Sequence, residues 1–105
     1  MLRVYEDMIG ALRMMRGTVA SIEKRDPDLG RQLRRASSSV VLNMAEGSGS
    51  FGRVRTVRYR TALGSARETV ACLRVAEACA YVDALHPQLF DTLDCVIGTL
   101  VRNAA

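Results

Sequence analysis

The spacing of the apolar residues constrains this chain more than any other feature. Val4, Met8, Leu12, Met15, Val19 and Ile22 follow one another at steps of three and four, the period of a helix with one apolar face. No segment alternates apolar and polar residues as a half-buried strand would, and no strand-turn-strand signal occurs. The spacing predicts a first helix from about Leu2 to Lys24. Asp26-Pro27 follows, at once a stop and a start signal: Asp as N-cap, Pro at the first helical position.

A second helix then carries Leu29, Leu33, Ala36, Val40 and Met44 on one face and is expected to stop at Gly47. The stripe passes unbroken through Ser37-Ser38-Ser39, so those serines belong to the helix. The segment GSGSFG, residues 47–52, is the one glycine-rich linker. A third helix is predicted from about Arg53 to Ala80, with Tyr59, Ala62, Ala66, Val70, Leu73 and Ala80 pointing one way. Tyr81 to His86 makes the last turn, and Pro87 opens a fourth helix with the stripe Leu89, Leu93, Val96, Ile97 and Leu100. Short connections favour antiparallel neighbours, so the expected fold is all-α, an antiparallel up-down-up-down four-helix bundle in one domain spanning residues 1–105.

At 105 residues such a bundle can bury a core without staples. Cys72, Cys79 and Cys95 are odd in number, form no CxxC, and share the chain with a single histidine, so neither a disulfide framework nor a zinc site is indicated. The apolar runs fall short of a membrane span, and Arg3, Glu6 and Asp7 interrupt the amino terminus where a secretory signal would be apolar. A cytoplasmic location without membrane association is expected.

The net charge is +4, and its distribution matters more. Residues 31–60 hold Arg31, Arg34, Arg35, Arg53, Arg55, Arg58 and Arg60 against Glu46 alone, a balance of +6 that leaves −2 elsewhere. A basic segment on a mildly acidic body points to a polyanionic partner, RNA or DNA first.

The third helix is unusual on a helical wheel. With Tyr59 at 0°, its core stripe lies near 330°, while Val54, Val57, Cys72, Val75 and Cys79 lie nearly opposite, between about 160° and 220°. An apolar back implies a second buried surface, most simply a subunit interface, unless those side chains are merely tolerated in solvent. Between the faces runs a line of arginines, Arg53, Arg60, Arg67 and Arg74, spaced by seven and covering about 31 Å of helix. Such an array suits phosphates, and also inter-subunit ion pairs. Arg55 and Arg58 add charge near its start, and Arg31, Arg34 and Arg35 on the preceding helix. Phe51 and Tyr59 are the only aromatics nearby and Tyr59 falls on the core stripe, so shape-and-phosphate binding fits better than base stacking.

Residues 47–52 match G-x-G-x-x-G, but that pattern has mechanical meaning only between a strand and a helix. A helix-turn-helix reading of the same region fails on the expected length of the turn. Catalysis has little to work with: His86 sits at a helix start, Ser37–Ser39 and Ser65 lack an evident base, and no carboxylate pair has telling spacing. Asn43, Glu46 and Glu68 fit a polar network better than an active site. No inward Glu-x-x-His pair suggests a metal, so the expectation is a non-enzyme with no metal and no cofactor.

Gln32-Leu33-Arg34-Arg35-Ala36, Asn43-Met44-Ala45-Glu46-Gly47 and Ala62-Leu63-Gly64-Ser65-Ala66-Arg67-Glu68 resemble a bacterial family over most of the chain. It is the four-helix-bundle family encoded by intervening sequences in large-subunit ribosomal RNA genes, which reads approximately QLRRA-x-S-I-P-x-N-I-A-E-G, then A-x-G-S-x-x-E, then a helix ending in Gly-Tyr. Here Val41 replaces the family's proline, and Ala80-Tyr81 its Gly-Tyr. More distantly the chain is similar to the accessory variability determinant of diversity-generating retroelements. That likeness implies a basic homopentamer that binds nucleic acid and associates with a reverse transcriptase.

The leading expectation is a non-enzymatic homo-oligomer, pentameric by resemblance, whose arginines contact nucleic-acid phosphates. The alternative is an interaction scaffold whose basic surface docks an acidic protein, such as a reverse transcriptase or a ribosome-associated protein, without binding nucleic acid.

Overall fold

The computed structural model describes residues 1–105 and has the element order α1 (Leu2–Arg25), α2 (Pro27–Ser48), α3 (Gly52–Ala78) and α4 (Pro87–Asn103), with no strand. Local chemistry sets most of these limits. Asp26 ends α1 by donating its N–H to the Ile22 carbonyl (2.8 Å) and starts α2 by accepting from the Leu29 N–H on Oδ1 (3.0 Å). A single residue therefore joins two helices. His86 caps α4 in the same way, its Nδ1 accepting from the Gln88 N–H at 3.0 Å, with Pro87 at the first position.

Neighbouring helices run antiparallel. Glu23 near the end of α1 meets Arg34 near the start of α2. Ser48 near the end of α2 meets Tyr59 near the start of α3, and Ser39 meets Ser65 further along. Arg60 reaches Ala104 at the end of α4. The packed pairs are α1·α2, α2·α3, α3·α4 and α1·α4, closing a four-helix ring around one core in which Met8, Met15, Ile22, Leu33, Met44, Leu73, Leu93 and Leu100 are fully buried. The expected all-α four-helix bundle is what the chain forms.

The core of α3 steps Tyr59, Ala62, Ala66, Thr69, Leu73, Ala76, alternating three and four residues. That is a heptad, and a straight 3.6-residue wheel drifts about 20° against it at every repeat. The drift corrects two expectations, and the end of the helix at Ala78 corrects a third. Cys72, expected on the outward face, is buried in the core (4% exposed) beside Leu73. Val70, expected in the core, is only half-buried. Ala80 lies outside the helix and is exposed.

The end of α3 has its own physics. Tyr81 N–H bonds to the Ala76 carbonyl (2.9 Å) and Ala80 N–H to the Glu77 carbonyl (3.0 Å), the paired bonds of a Schellman motif. Its left-handed position is Ala80, at φ 58°, where glycine is the usual occupant. Val41, in contrast, lies buried inside an unbroken α2.

Gly47 does not end α2. It is buried within the helix, where an added Cβ would lie 2.5 Å from Cε1 and 2.7 Å from Cδ1 of Tyr59. Its missing side chain lets the Tyr59 ring pack against α2, and the helix runs on to Ser48 with Gly49 as its C-cap. The linker shrinks from six residues to Gly49-Ser50-Phe51. A turn that short removes the length objection to a helix-turn-helix. The motif is still excluded, because α2 and α3 lie side by side from Gly47/Tyr59 to Ser39/Ser65 instead of crossing steeply.

Candidate nucleic-acid and subunit interface

The arginines singled out in the sequence do not share one surface. Arg31 pairs with Asp28 (3.2 Å) and Arg34 with Glu23, both near the start of α2. The start of α3 follows the other end of α2, about 26 Å away by helical rise from Arg31 to Ser48. There the α2–α3 turn gathers Arg53, Arg55 and Arg58. Arg58 Nε pairs with Glu46 (2.9 Å), and Arg55 Nε donates to the carbonyls of Ser50 (2.8 Å) and Gly47 (3.2 Å). These exposed ion pairs contribute at most about 1 kcal/mol each, so they orient side chains more than they stabilise the fold.

Along the α4 side of α3, Arg60 Nε donates to the Ala104 carbonyl (3.0 Å), one of the C-terminal groups α4 cannot satisfy itself. Arg74 lies 4.0 Å over the Phe90 ring and 3.4 Å from Glu77. Glu77 in turn accepts the Leu85 N–H (2.9 Å), tying the α3–α4 connection to α3. Two members of the seven-spaced line thus pack onto α4. Of the nine arginines, Arg35, Arg53 and Arg67 make neither an ion pair nor a hydrogen bond within the chain.

The charge at the head of α3 is compensated only by Glu46, which pairs with Arg58. The first turn has no acidic residue and no capping side chain, so free backbone N–H groups and the positive end of the helix dipole lie beside Arg53. From Gly52 to Arg67 the helix carries five arginines and no acid.

The outward face of α3 keeps Val54 (58% exposed), Val57 (52%) and Val75 (45%) in solvent, together with Cys79. Between the valines the exposed positions are Thr61, Gly64, Glu68 and Ala71, with Ala78 beyond, again at steps of three and four. The helix therefore has a second heptad seam, its middle lined by small residues and Glu68. The sequence signal for it is the recurrence of Thr61, Gly64, Ala71 and Ala78, which a search for large apolar residues passes over. A Cβ on Gly64 would meet nothing within 4 Å, so a neighbouring helix could approach closely there.

Asn43, Glu46 and Glu68 do not meet. Asn43 Nδ2 donates to the Ser39 carbonyl (2.9 Å) and Oγ (3.0 Å), and Ser65 Oγ donates to Ser39 Oγ (2.8 Å). Glu68 instead lines an open groove of about 440 Å³ with Gln32, Arg35, Ser39 and Ser65. Burial, with the Glu68 carboxylate second, pushes the Cys72 thiol above its ordinary pKa.

The sequence model of the 23S rRNA-intervening sequence proteins matches residues 2–101. The chain belongs to that family. No match was found among curated proteins or among solved structures. The family match spans all four helices, the motif residues Gln32–Ala36, Asn43–Gly47 and Ala62–Glu68 included. No helix is long and apolar enough to cross a membrane.

Proposed function

We propose that this member of the 23S rRNA-intervening sequence proteins is a non-enzymatic homo-oligomer that binds nucleic acid through phosphate contacts. The observation that carries the reading is the juxtaposition on α3: an outward apolar seam (Val54, Val57, Val75, Cys79) beside an arginine flank with no acid from Gly52 to Arg67. Self-association through the seam would repeat each subunit's few phosphate contacts around the assembly. Avidity then makes up for contacts that are individually weak at physiological salt. A pentamer is the subunit number that the more distant resemblance favours.

Arg53 and Arg67 have no partner within the chain, whereas Arg60 holds the end of α4, so the first two are the residues to remove. Arg53→Ala with Arg67→Ala is expected to lower affinity for structured RNA and duplex DNA in fluorescence anisotropy, with the mass by light scattering unchanged. Intact binding in that variant would contradict the phosphate role. Absence of binding by the unaltered protein would leave the scaffold reading, in which the same arginines dock an acidic protein.

A further inference from the structure

We propose that Phe51 is a stacking platform for an unpaired nucleobase, so that single-stranded segments of RNA are held at the α2–α3 turn. This rests on the nucleic-acid reading above and deepens it. Phe51 is the most exposed large apolar residue of the chain, at 84%, and takes no part in the core. It occupies the N-cap of α3 and provides no capping bond, although Ser, Thr, Asp or Asn there would stabilise the helix by about 1 kcal/mol. Neither folding nor capping explains an aromatic ring at this position.

Its surroundings specify what could cover it. Arg55 lies 5.7 Å from the ring centroid, its guanidinium fixed by the Ser50 and Gly47 carbonyls and so ordered before any ligand arrives. Arg53 follows two residues along with no partner. The nearest acid in sequence, Glu46, is taken up by Arg58. Gly52, at φ +56°, sits in the left-handed region between the ring and the helix, with open space where its side chain would be.

A flat apolar ring flanked by cations suits a ligand with exposed π-faces and negative charge. Unpaired nucleotides have both, whereas a duplex keeps its bases stacked inside. A second copy of this chain would bring the same positive turn against it if the two turns met, and like charge disfavours that contact. The expectation of phosphate contacts alone is therefore extended at one residue.

The test compares binding of a labelled RNA hairpin, whose loop is unpaired, with a blunt fully paired RNA of equal nucleotide number. Phe51→Ala is expected to weaken hairpin binding by about 5- to 100-fold while leaving duplex binding nearly unchanged, and Phe51→Tyr to retain both. Equal loss on the two RNAs, or Phe51→Leu binding the hairpin as well as the unaltered protein does, overturns the proposal. So does a change of sedimentation coefficient in Phe51→Ala, which would make Phe51 a subunit contact. If the unaltered protein binds neither RNA, the nucleic-acid reading itself falls. Binding that is merely insensitive to Phe51 removes the stacking alone.

Discussion

Replacing Gly47 with alanine sets two effects of opposite sign against each other. Inside a helix, alanine is favoured over glycine by about 1 kcal/mol. At Gly47, however, the new methyl would lie 2.5 Å and 2.7 Å from ring carbons of Tyr59, and 3.2 Å from a third. Tyr59 is 4% exposed, and its hydroxyl lies 3.4 Å from Ser48 Oγ, so the ring has little room to retreat. Overpacking of this kind costs about 1–3 kcal/mol, which offsets or outweighs the helix preference and leaves a net loss of up to about 2 kcal/mol. For a chain of this size that lowers Tm by up to about 15 °C. Gly17 is the control: it is exposed in α1 with nothing within 4 Å of its added Cβ, so Gly17→Ala should raise stability by up to about 1 kcal/mol. Calorimetry at one protein concentration measures both, since subunit association would otherwise shift Tm. Shrinking the ring with Tyr59→Leu in the Gly47→Ala background should lower the cost of the added methyl. Gly47→Ala as stable as Gly17→Ala would refute the close approach of α2 and α3 at this point.

Ala80→Gly should stabilise the protein by about 1 kcal/mol in urea denaturation, because it relieves a left-handed alanine at the end of α3. Val57→Asp should lower the mass measured by light scattering without loss of helix content, since Val57 is exposed in the subunit but belongs to the proposed seam. The raised pKa of Cys72 keeps its thiol protonated through neutral and mildly alkaline pH, so iodoacetamide should modify exposed Cys95 rapidly and Cys72 only on unfolding. Cys79 should be slow in the assembled protein and fast in Val57→Asp. Glu77→Ala should cost about 1–2 kcal/mol in thermal unfolding, because the half-buried Leu85 N–H loses its acceptor.

The four helices were legible because their evidence is local: apolar residues at steps of three and four, Pro27 and Pro87 at helix starts, and Asp26 as a cap. Where the reading missed, the deciding interaction lay elsewhere in the chain. Gly47 looks like a stop signal until Tyr59, twelve residues on, is found against it. Cys72 sits opposite the core on a straight wheel and inside it on a supercoiled helix. The arginine line was visible as a spacing, but its partners were not. Arg34 pairs with Glu23 eleven residues away, and Arg60 with a carbonyl 44 residues away. Phe51 stood out in the sequence only as one of two aromatics near the arginines, and its full exposure came from the structure.

The most direct test of the central claim is the salt dependence of nucleic-acid affinity for the unaltered oligomer, followed by anisotropy on structured RNA and on duplex DNA. If the arginine flanks of several subunits contact phosphates together, log affinity falls linearly with log salt, with a slope steeper than about −3. Affinity indifferent to salt, or no binding at the lowest salt tested, would contradict the account.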